Sequence, residues 1–511
     1  MHALICEGQA MLWDQSNRLI QLKTPLPDNA LLGIALVGGE TLSHDFHFLL
    51  TVIATIKLSS KDQLKLIGQT LTVILFQNNV RHYLHAIIQT IAEVSHPAYK
   101  YPVFEIALQP LLSRLKSIAP KRYFKHQTHI AIIKNILQSH GVAYINDQQI
   151  TRQYLQQDYV MQHNESDYDF MHRLLFEQDC FYYLLQTEAA EVFVFCDDCQ
   201  QLPKSHQTLH SMDSSQSMIQ RVYPAQFQGA QTVKCQTTVL GLSAGHVVQM
   251  AAHPNAVENT AYYIRRIQHW VKDYSYFNHD ETETLFYRNE CVLTELSNPF
   301  HLCAVGHDNT QRPMESALIT TQSKSVLTDN KAQLKAQFHW DREGKFTADS
   351  SQWLRSRQWI VGDQWGVQIF PRQYQQVMVG YYDGLVSRPA VLGSVYNQLQ
   401  VVPFAVDTQS GFRTQILEDQ AVRGHQVIFD DHPKAEQQIW HVERQYDQCV
   451  LKDMKVTVSQ QYMSTVGLED SVKAKSLAMA ANHSVVLMVG SSQLEMTADS
   501  IVVSAMKSEL N

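Results

Sequence analysis

The stretch that most constrains the fold of this chain is its last, residues 450–511. It consists of short alternating patches: VTV at 456–458, SVV at 484–486, LEM at 494–496 and IVV at 501–503. Helix starts and stops are missing, and Val-Gly recurs at 466–467 and 489–490. Small β units repeated along an axis are the pattern of a β-helix or prism. One copy of such thin strands has no partner for its apolar side, so further copies must cover it. The pattern therefore predicts a homo-oligomeric β-helix or prism. The residues expected inside are Val456, Val458, Val485, Leu487, Leu494, Met496, Ile501 and Val503, with Val489 at the same interface. A one-residue slip in register would invert that set.

The rest of the chain is ordinary globular material. Apolar residues make up 45% of the 511 positions, enough for large cores. Lys plus Arg (41) falls short of Asp plus Glu (49), leaving −8. That balance argues against a nucleic-acid or anionic-membrane surface, and in an oligomer the multiplied charge would favour solubility. The opening MHALICEGQAMLWDQSNR has no basic region followed by an apolar one, so no secretory signal is expected. Apolar runs such as FHFLLTVIATI fall short of the ~20 residues of a membrane helix, and no stable membrane insertion is expected. Eight cysteines without regular spacing suit reduced thiols made in a cytosol.

Residues 1 to about 118 read as strands, with LLTVIATIKL, TLTVILF and YPVFEIALQP the clearest. A helical insert follows at about 119–180. Thr128 caps a helix carrying Ile130, Ile133, Ile136 and Leu137, stopped by His140-Gly141. A second helix is expected at 164–179, with Ser166 and Asp169 in a capping arrangement. Strands return as FYYLLQ, EVFVFC, TTVLGL, HVVQM and AYYIRRIQHWV. The first 310 residues thus form two β modules around a helical insert, with a polar boundary near GHDNTQRPMES. From 331 to 338 the chain alternates: Ala332, Leu334, Ala336 and Phe338 on one face, Lys331, Gln333, Lys335 and Gln337 on the other. Further strands through Trp353, Val367–Phe370 and Val377–Tyr382, then a turn at Asp383-Gly384 into Ala390–Tyr396, suggest a five-stranded barrel over 311–402. Residues 403–449 remain as a neck.

Several motifs then become specific. Phe338-His339-Trp340-Asp341-Arg342-Glu343-Gly344 follows a strand. Ser350-Ser351, Trp353, Arg355, Trp365-Gly366, Pro371-Arg372, Arg388-Pro389 and Val395-Tyr396-Asn397 come after it in order. Upstream stand Arg152-Gln153-Tyr154, Asn164-Glu165-Ser166-Asp167, Phe170, Arg173-Leu174-Leu175, Glu177 and Tyr182. The openings TPLPDNALLG and GGETLSHDFHFLL precede them. Together these resemble the valine-glycine-repeat (VgrG) family, the spike of type VI secretion, over most of residues 20–400.

The resemblance implies a mainly β protein with a helical insert (α+β): a phage-hub-like double β-barrel, an OB-fold collar and a trimeric β-helix needle. It implies a homotrimer that caps the inner tube, is driven through a target envelope by sheath contraction, and carries effectors. Implied partners are an inner-tube (Hcp-type) protein and a PAAR-type tip protein, with secretion from the bacterial cytoplasm. Departures fall in the collar. Ala332-Gln333 stand where Gly-Arg is common, Gly384-Leu385-Val386-Ser387-Arg388-Pro389 replaces a charged loop, and Pro371-Arg372-Gln373-Tyr374-Gln375-Gln376 replaces Pro-Arg-Ile-Gly-Gln-Glu. The needle is short and poor in Val-Gly. A phage or prophage hub-spike protein is the alternative within the same class.

Other chemistry is weaker. Gly241-Leu242-Ser243-Ala244-Gly245 matches a nucleophile elbow, which would make Ser243 a hydrolase nucleophile. The strand pattern on both sides reads it as a turn instead. Cys196, Cys199, His206 and His210 have zinc-type ligands, but their two pairs stand closer together than in the usual finger. Trp353, Trp359 and Trp365 could stack bases, which the acidic balance disfavours. The ~45 residues between Val402 and Asp447 are too few for an added lysozyme-like domain. No enzyme activity and no cofactor are expected.

Overall fold

The computed structural model describes residues 14–507, except Asn17, Pro254 and residues 95–100, 118–119, 211–216, 223–231, 274–284, 303–313, 322–327, 343–344, 385–387 and 418–422. Most of the expected boundary at GHDNTQRPMES, and Glu343, Gly344, Leu385, Val386 and Ser387, lie outside the described residues. The chain divides into two compact units, residues 1–439 and 440–511.

In the first unit, β-branched and aromatic strands assemble one large sheet. Its order is Ile20–Lys23, Thr70–Gln77, Val80–Val94, Val103–Gln109, His47–Ala54, Leu31–Thr41, Ala261–Asp273, Leu285–Glu295, Thr232–Thr237 and Ser217–Val222. Val247–Ala251 pairs Ala261–Asp273 and, in parallel, Lys204–His210. The two expected β modules are therefore fused, because residues 35–41 pair antiparallel with 266–272. Each half keeps its own core, one around Phe48, Leu50, Val73 and Ile106, the other around Val248, Ile264 and Leu293.

The helical insert forms as its caps dictate. Thr128 Oγ1 accepts from Ala131 N, starting the helix His129–Ser139, and Gly141 in the left-handed region follows its end. Ser166 Oγ accepts from Asp169 N at 3.0 Å. The second helix is Asp167–Glu177, shorter at both ends than the expected 164–179. Ser166 is its extended cap residue, and Asn164 and Asp179 both have positive φ, which an α-helix excludes. Both helices pack through Ile133, Ile136, Phe170 and Leu174 into a core shared with the strands Phe181–Gln186 and Glu191–Cys196.

Five strands close a barrel in the order Glu315–Ile319, Gln333–Phe338, Gln352–Ser356, Pro389–Ser394, Gln376–Tyr381. Leu334, Ala336 and Phe338 face its core. Ala332 does not join them: it adopts φ 56° in the turn before the strand. Gln337 is buried too, and its Oε1 accepts from Phe346 N and Ser350 Oγ, which satisfies its oxygen. Asp383 (φ 54°) and Gly384 (φ 69°) make the expected turn. Beyond the barrel, Gln409–Arg413 pairs Gln426–Asp430 inside the stretch read as neck.

Two expected strands are corrected. Val367–Phe370 is not a strand, since the local pairing ends at Trp365–Gly366. TTVLGL is not a strand, because the ladder ends at Thr237, whose Oγ1 accepts from Val239 N at 3.1 Å and turns the chain.

The second unit is thin. Residues 442–483 make no strand within the chain, so VTV at 456–458 is not an intrachain strand. Ser484–Val489, Ser492–Thr497 and Ile501–Ser504 then form an antiparallel three-stranded sheet, with Gly490 at φ 59° in its first turn.

Candidate functional site

The sequence singled out three chemical candidates in the first unit, and the structure separates their residues. Ser243 is 4% exposed, and a strand, Val247–Ala251, follows it where an elbow needs a helix. Gly245 sits at φ 86°, with Tyr183 packed so closely that a Cβ would meet it at 2.9 Å. The pentapeptide is a tight buried turn.

Cys196 and Cys199 are buried. Cys196 Sγ donates to Asp198 O at 3.2 Å. Burial pushes its thiol up to about 12 and that of Cys199 up to about 11, away from the thiolates a metal needs. His206 is exposed on a neighbouring strand, and the His210 side chain lies outside the described residues. Among the described residues no three His, Cys, Asp or Glu side chains converge as a metal site. Trp353, Trp359 and Trp365 are all exposed on the barrel side of the chain. Trp353 carries the Lys335 ammonium over its ring at 5.2 Å, and Trp359 borders a groove shared with Arg357, Gln358 and Leu392.

The tyrosine-rich motif builds a scaffold. Asp197 accepts from Thr151 N, Arg152 N and the Tyr154 hydroxyl. Burial would raise its carboxyl, but those hydrogen bonds outweigh burial and hold it low. Arg173 bridges Glu165 and Glu177, each at 2.8 Å, and donates to Met161 O at 2.7 Å. Asp167, at the start of the second helix, takes Arg122, His140 and Gln162.

This scaffold carries the barrel. Glu315, on the first barrel strand, accepts from Lys121 (2.9 Å), His163 (2.7 Å), Tyr381 (2.6 Å) and Trp340 (3.1 Å). Burial pushes the carboxyl up, yet bonds from His163, Tyr381 and Lys121 prevail and hold it at about 2. Tyr123 donates to Asp341 and to Ser350 O, both at 2.8 Å, and Met161 from the insert is fully buried in the barrel core. Sequence reasoning missed Glu315. Its signal was parity: it shares a strand face with the buried Ala317 and Ile319, so a carboxylate there needed partners.

In the second unit the register decides which side chains share a face. Val485 pairs Met496, which pairs Ile501; Leu487 pairs Leu494, which pairs Val503. Directly opposed residues project to the same side of a sheet. Six of the eight residues expected inside the prism therefore lie on one face, with Val489 at its end opposite Ser492, while Val456 and Val458 lie in no strand. Among the described residues nothing covers that face fully: Leu487 is 50% exposed, Ile501 69% and Val503 62%.

Known proteins share these parts. Residues 39–228 match the phage tail baseplate hub (GPD) family. Residues 326–396 match the type VI secretion system/phage-baseplate injector OB domain. The spike protein VgrG1a of Pseudomonas aeruginosa is 22% identical over 519 residues, covering 87% of this chain and 80% of that protein. VgrG1c of the same organism is 22% identical over 512 residues, covering 86% of this chain and 70% of that protein. Both family matches and these relatives support a VgrG-type spike. The fold agrees. The E. coli c3393 protein, a component of the type VI secretion system with similarity to T4 tail proteins gp27 and gp5, superposes with TM-score 0.58 at 16% identity. That match covers 73% of this chain and all of c3393. The Francisella PdpA–VgrG complex gives 0.53 at 10% identity, covering 80% of this chain and 76% of that one. In this VgrG-type chain the family-like residues Arg152, Tyr154, Glu165, Asp167 and Arg173 hold the insert together, and the insert holds the barrel. The chain is a spike protein of a contractile type VI secretion apparatus.

Proposed function

We propose that this spike works as a homotrimer, wound through its second unit, that caps an inner tube and is driven into a target envelope. One observation carries the reading: two layers of apolar side chains, Val485–Met496–Ile501 and Leu487–Leu494–Val503, share one uncovered face of a three-stranded sheet. A sheet with one apolar face needs a second surface to exclude water. Two further copies supply it, each presenting the same layers, and winding them together removes the exposed edges at 484–489 and 501–504. Residues 442–483, which form no strand within one chain, gain partners in the same way.

The fused two-core sheet is the part that meets an inner-tube (Hcp-type) protein. The end of the terminal sheet, near Ser504, is where a PAAR-type tip protein docks. The PdpA–VgrG complex supports a cargo role for the spike. The role is mechanical, with no catalytic step assigned to the chain. The buried turn at Ser243 supports that, and a fluorophosphonate probe that labelled wild type but not Ser243→Ala would overturn it.

The test of the trimer is the mass of the purified full chain by light scattering. Three copies are expected for wild type, and dissociation for Leu487→Asp. A wild-type mass of one copy would sink the proposal.

A further inference from the structure

Where the two halves of the large sheet meet, a polar cluster sits in a dry interior. Glu40, 7% exposed, lies on the strand Leu31–Thr41 opposite Ile267. Its Oε2 accepts from Ala244 N at 3.2 Å, which ties the turn after Thr237 to the sheet. Its Oε1 has no hydrogen-bond partner and faces His269 Nε2, also without one, at 3.8 Å. His269 is fixed from behind: its Nδ1 lies 3.0 Å from the Tyr287 hydroxyl, which takes a bond from Asn289. Asn289 also donates to Val239 O, holding the same turn from its other end.

We propose that Glu40 is a proton-operated latch on the turn of residues 239–246: neutral, it seats the turn against His269, and ionised, it loosens it. Among the described residues, an ionised carboxylate here would have one backbone N–H and no lysine or arginine beside it. The titratable groups that bear on it are Glu191 on the strand 191–196, His269 on 261–273, and Tyr287 and Cys291 on 285–295. His82 and His246 stand behind His269, Asp45 acts on Glu191, and His44 lines the narrow cavity beside Glu40. None of these is a lysine or arginine.

A buried charge so placed is costly, and the remedy is to admit water. The cavity lined by Thr41, His44, Phe46, Tyr183, Gln186 and Ala244 gives water its route. Burial pushes the Glu40 carboxyl up from 4.5 to about 7, so the proton leaves near neutrality. The same burial holds His269 down at about 3 and His82 and His246 at about 4, so all three are neutral over that range. The sign follows: a raised carboxyl stabilises fully below its unfolded value, and the gain is lost as pH rises through the folded one.

The experiment is hydrogen–deuterium exchange on the full-length chain, followed from about pH 6.5, above the range in which the buried histidines titrate, to about pH 8.5 and corrected for the intrinsic rate. In wild type, protection of 239–250 should fall by about tenfold across the range, while the barrel strand 333–338 stays constant. In Glu40→Gln, which keeps the neutral shape, 239–250 should not respond to pH. A flat wild-type profile overturns the latch, as does a Gln variant that follows wild type. If the variant fails to fold, the wild-type comparison of 239–250 with 333–338 decides alone.

Discussion

Glu315 and His163 meet at 2.7 Å across the junction between the barrel and the helical insert, with the histidine almost fully buried. Three more donors crowd the same carboxylate. A carboxylate this deeply satisfied is a fastener, and removing it strands its partners. Glu315→Ala should destabilise the chain by about 3 kcal/mol, as when one partner of a buried ion pair is removed. Denaturant unfolding followed by tryptophan fluorescence reads it; a loss within error of zero would show the junction is not held there. Because the folded carboxyl is held at about 2, its contribution is present above the ordinary Glu value of 4.5 and disappears as pH falls toward 2.

Met161 is the apolar half of that junction. It leaves the insert and fills the barrel core beside Ala317, Leu334 and Val391. Met161→Ala should cost about 2–4 kcal/mol through lost burial and the void left behind. Met161→Leu, similar in volume, should cost less than about 1.5 kcal/mol. Equal losses from the two variants would mean the side chain does not plug the barrel.

The helix caps give smaller, local effects. Thr128→Ala and Ser166→Ala each remove an oxygen that accepts a backbone N–H, at 3.2 and 3.0 Å. Each should lower stability by about 1 kcal/mol, and Thr128→Ser should restore most of it. Thermal melts of the three variants check this.

Acid should attack the large sheet before the barrel. His82, His246 and His269 are buried and held well below the ordinary 6.5, chiefly by burial. A depressed histidine stabilises above its unfolded value and loses that gain as pH falls through the folded one. Stability of the two-core sheet should therefore decline from about pH 6.5 to about pH 4. Limited proteolysis at stepped pH should cut within 80–94 or 261–273 first; first cuts in 333–338 would contradict it.

The terminal face makes the sharpest contrast. Leu494→Lys, on the shared face, should abolish self-association, whereas Val486→Ser, on the other face, should leave it intact. Sedimentation velocity distinguishes them. Equal behaviour would show that the two faces are not different in kind.

Much of the fold was legible because local rules sufficed. Both helices declared themselves through Thr128 and Ser166, whose short oxygens can serve only the N–H groups two or three residues ahead. The barrel strand at 333–338 followed from strict alternation, and the shared face of Val485, Leu487, Leu494, Met496, Ile501 and Val503 from period two alone. The errors were of a different sort. TTVLGL has strand composition, yet one hydroxyl, Thr237 Oγ1, turned it. Gln337 alternates as a surface residue but is buried, because a loop carrying Phe346 and Ser350 folds over it.

By itself the sequence determined the elements, the family-like scaffold residues and the apolar set of the second unit, since spacing along one chain encodes periodicity and caps. Only the tertiary structure revealed that Glu315 is ringed by four donors, that Met161 enters the barrel, and that Glu40 faces His269 from strands more than two hundred residues apart. Those facts depend on which side chains are brought together from distant segments, and the free energy of a buried charge is set by its neighbours in space rather than in sequence.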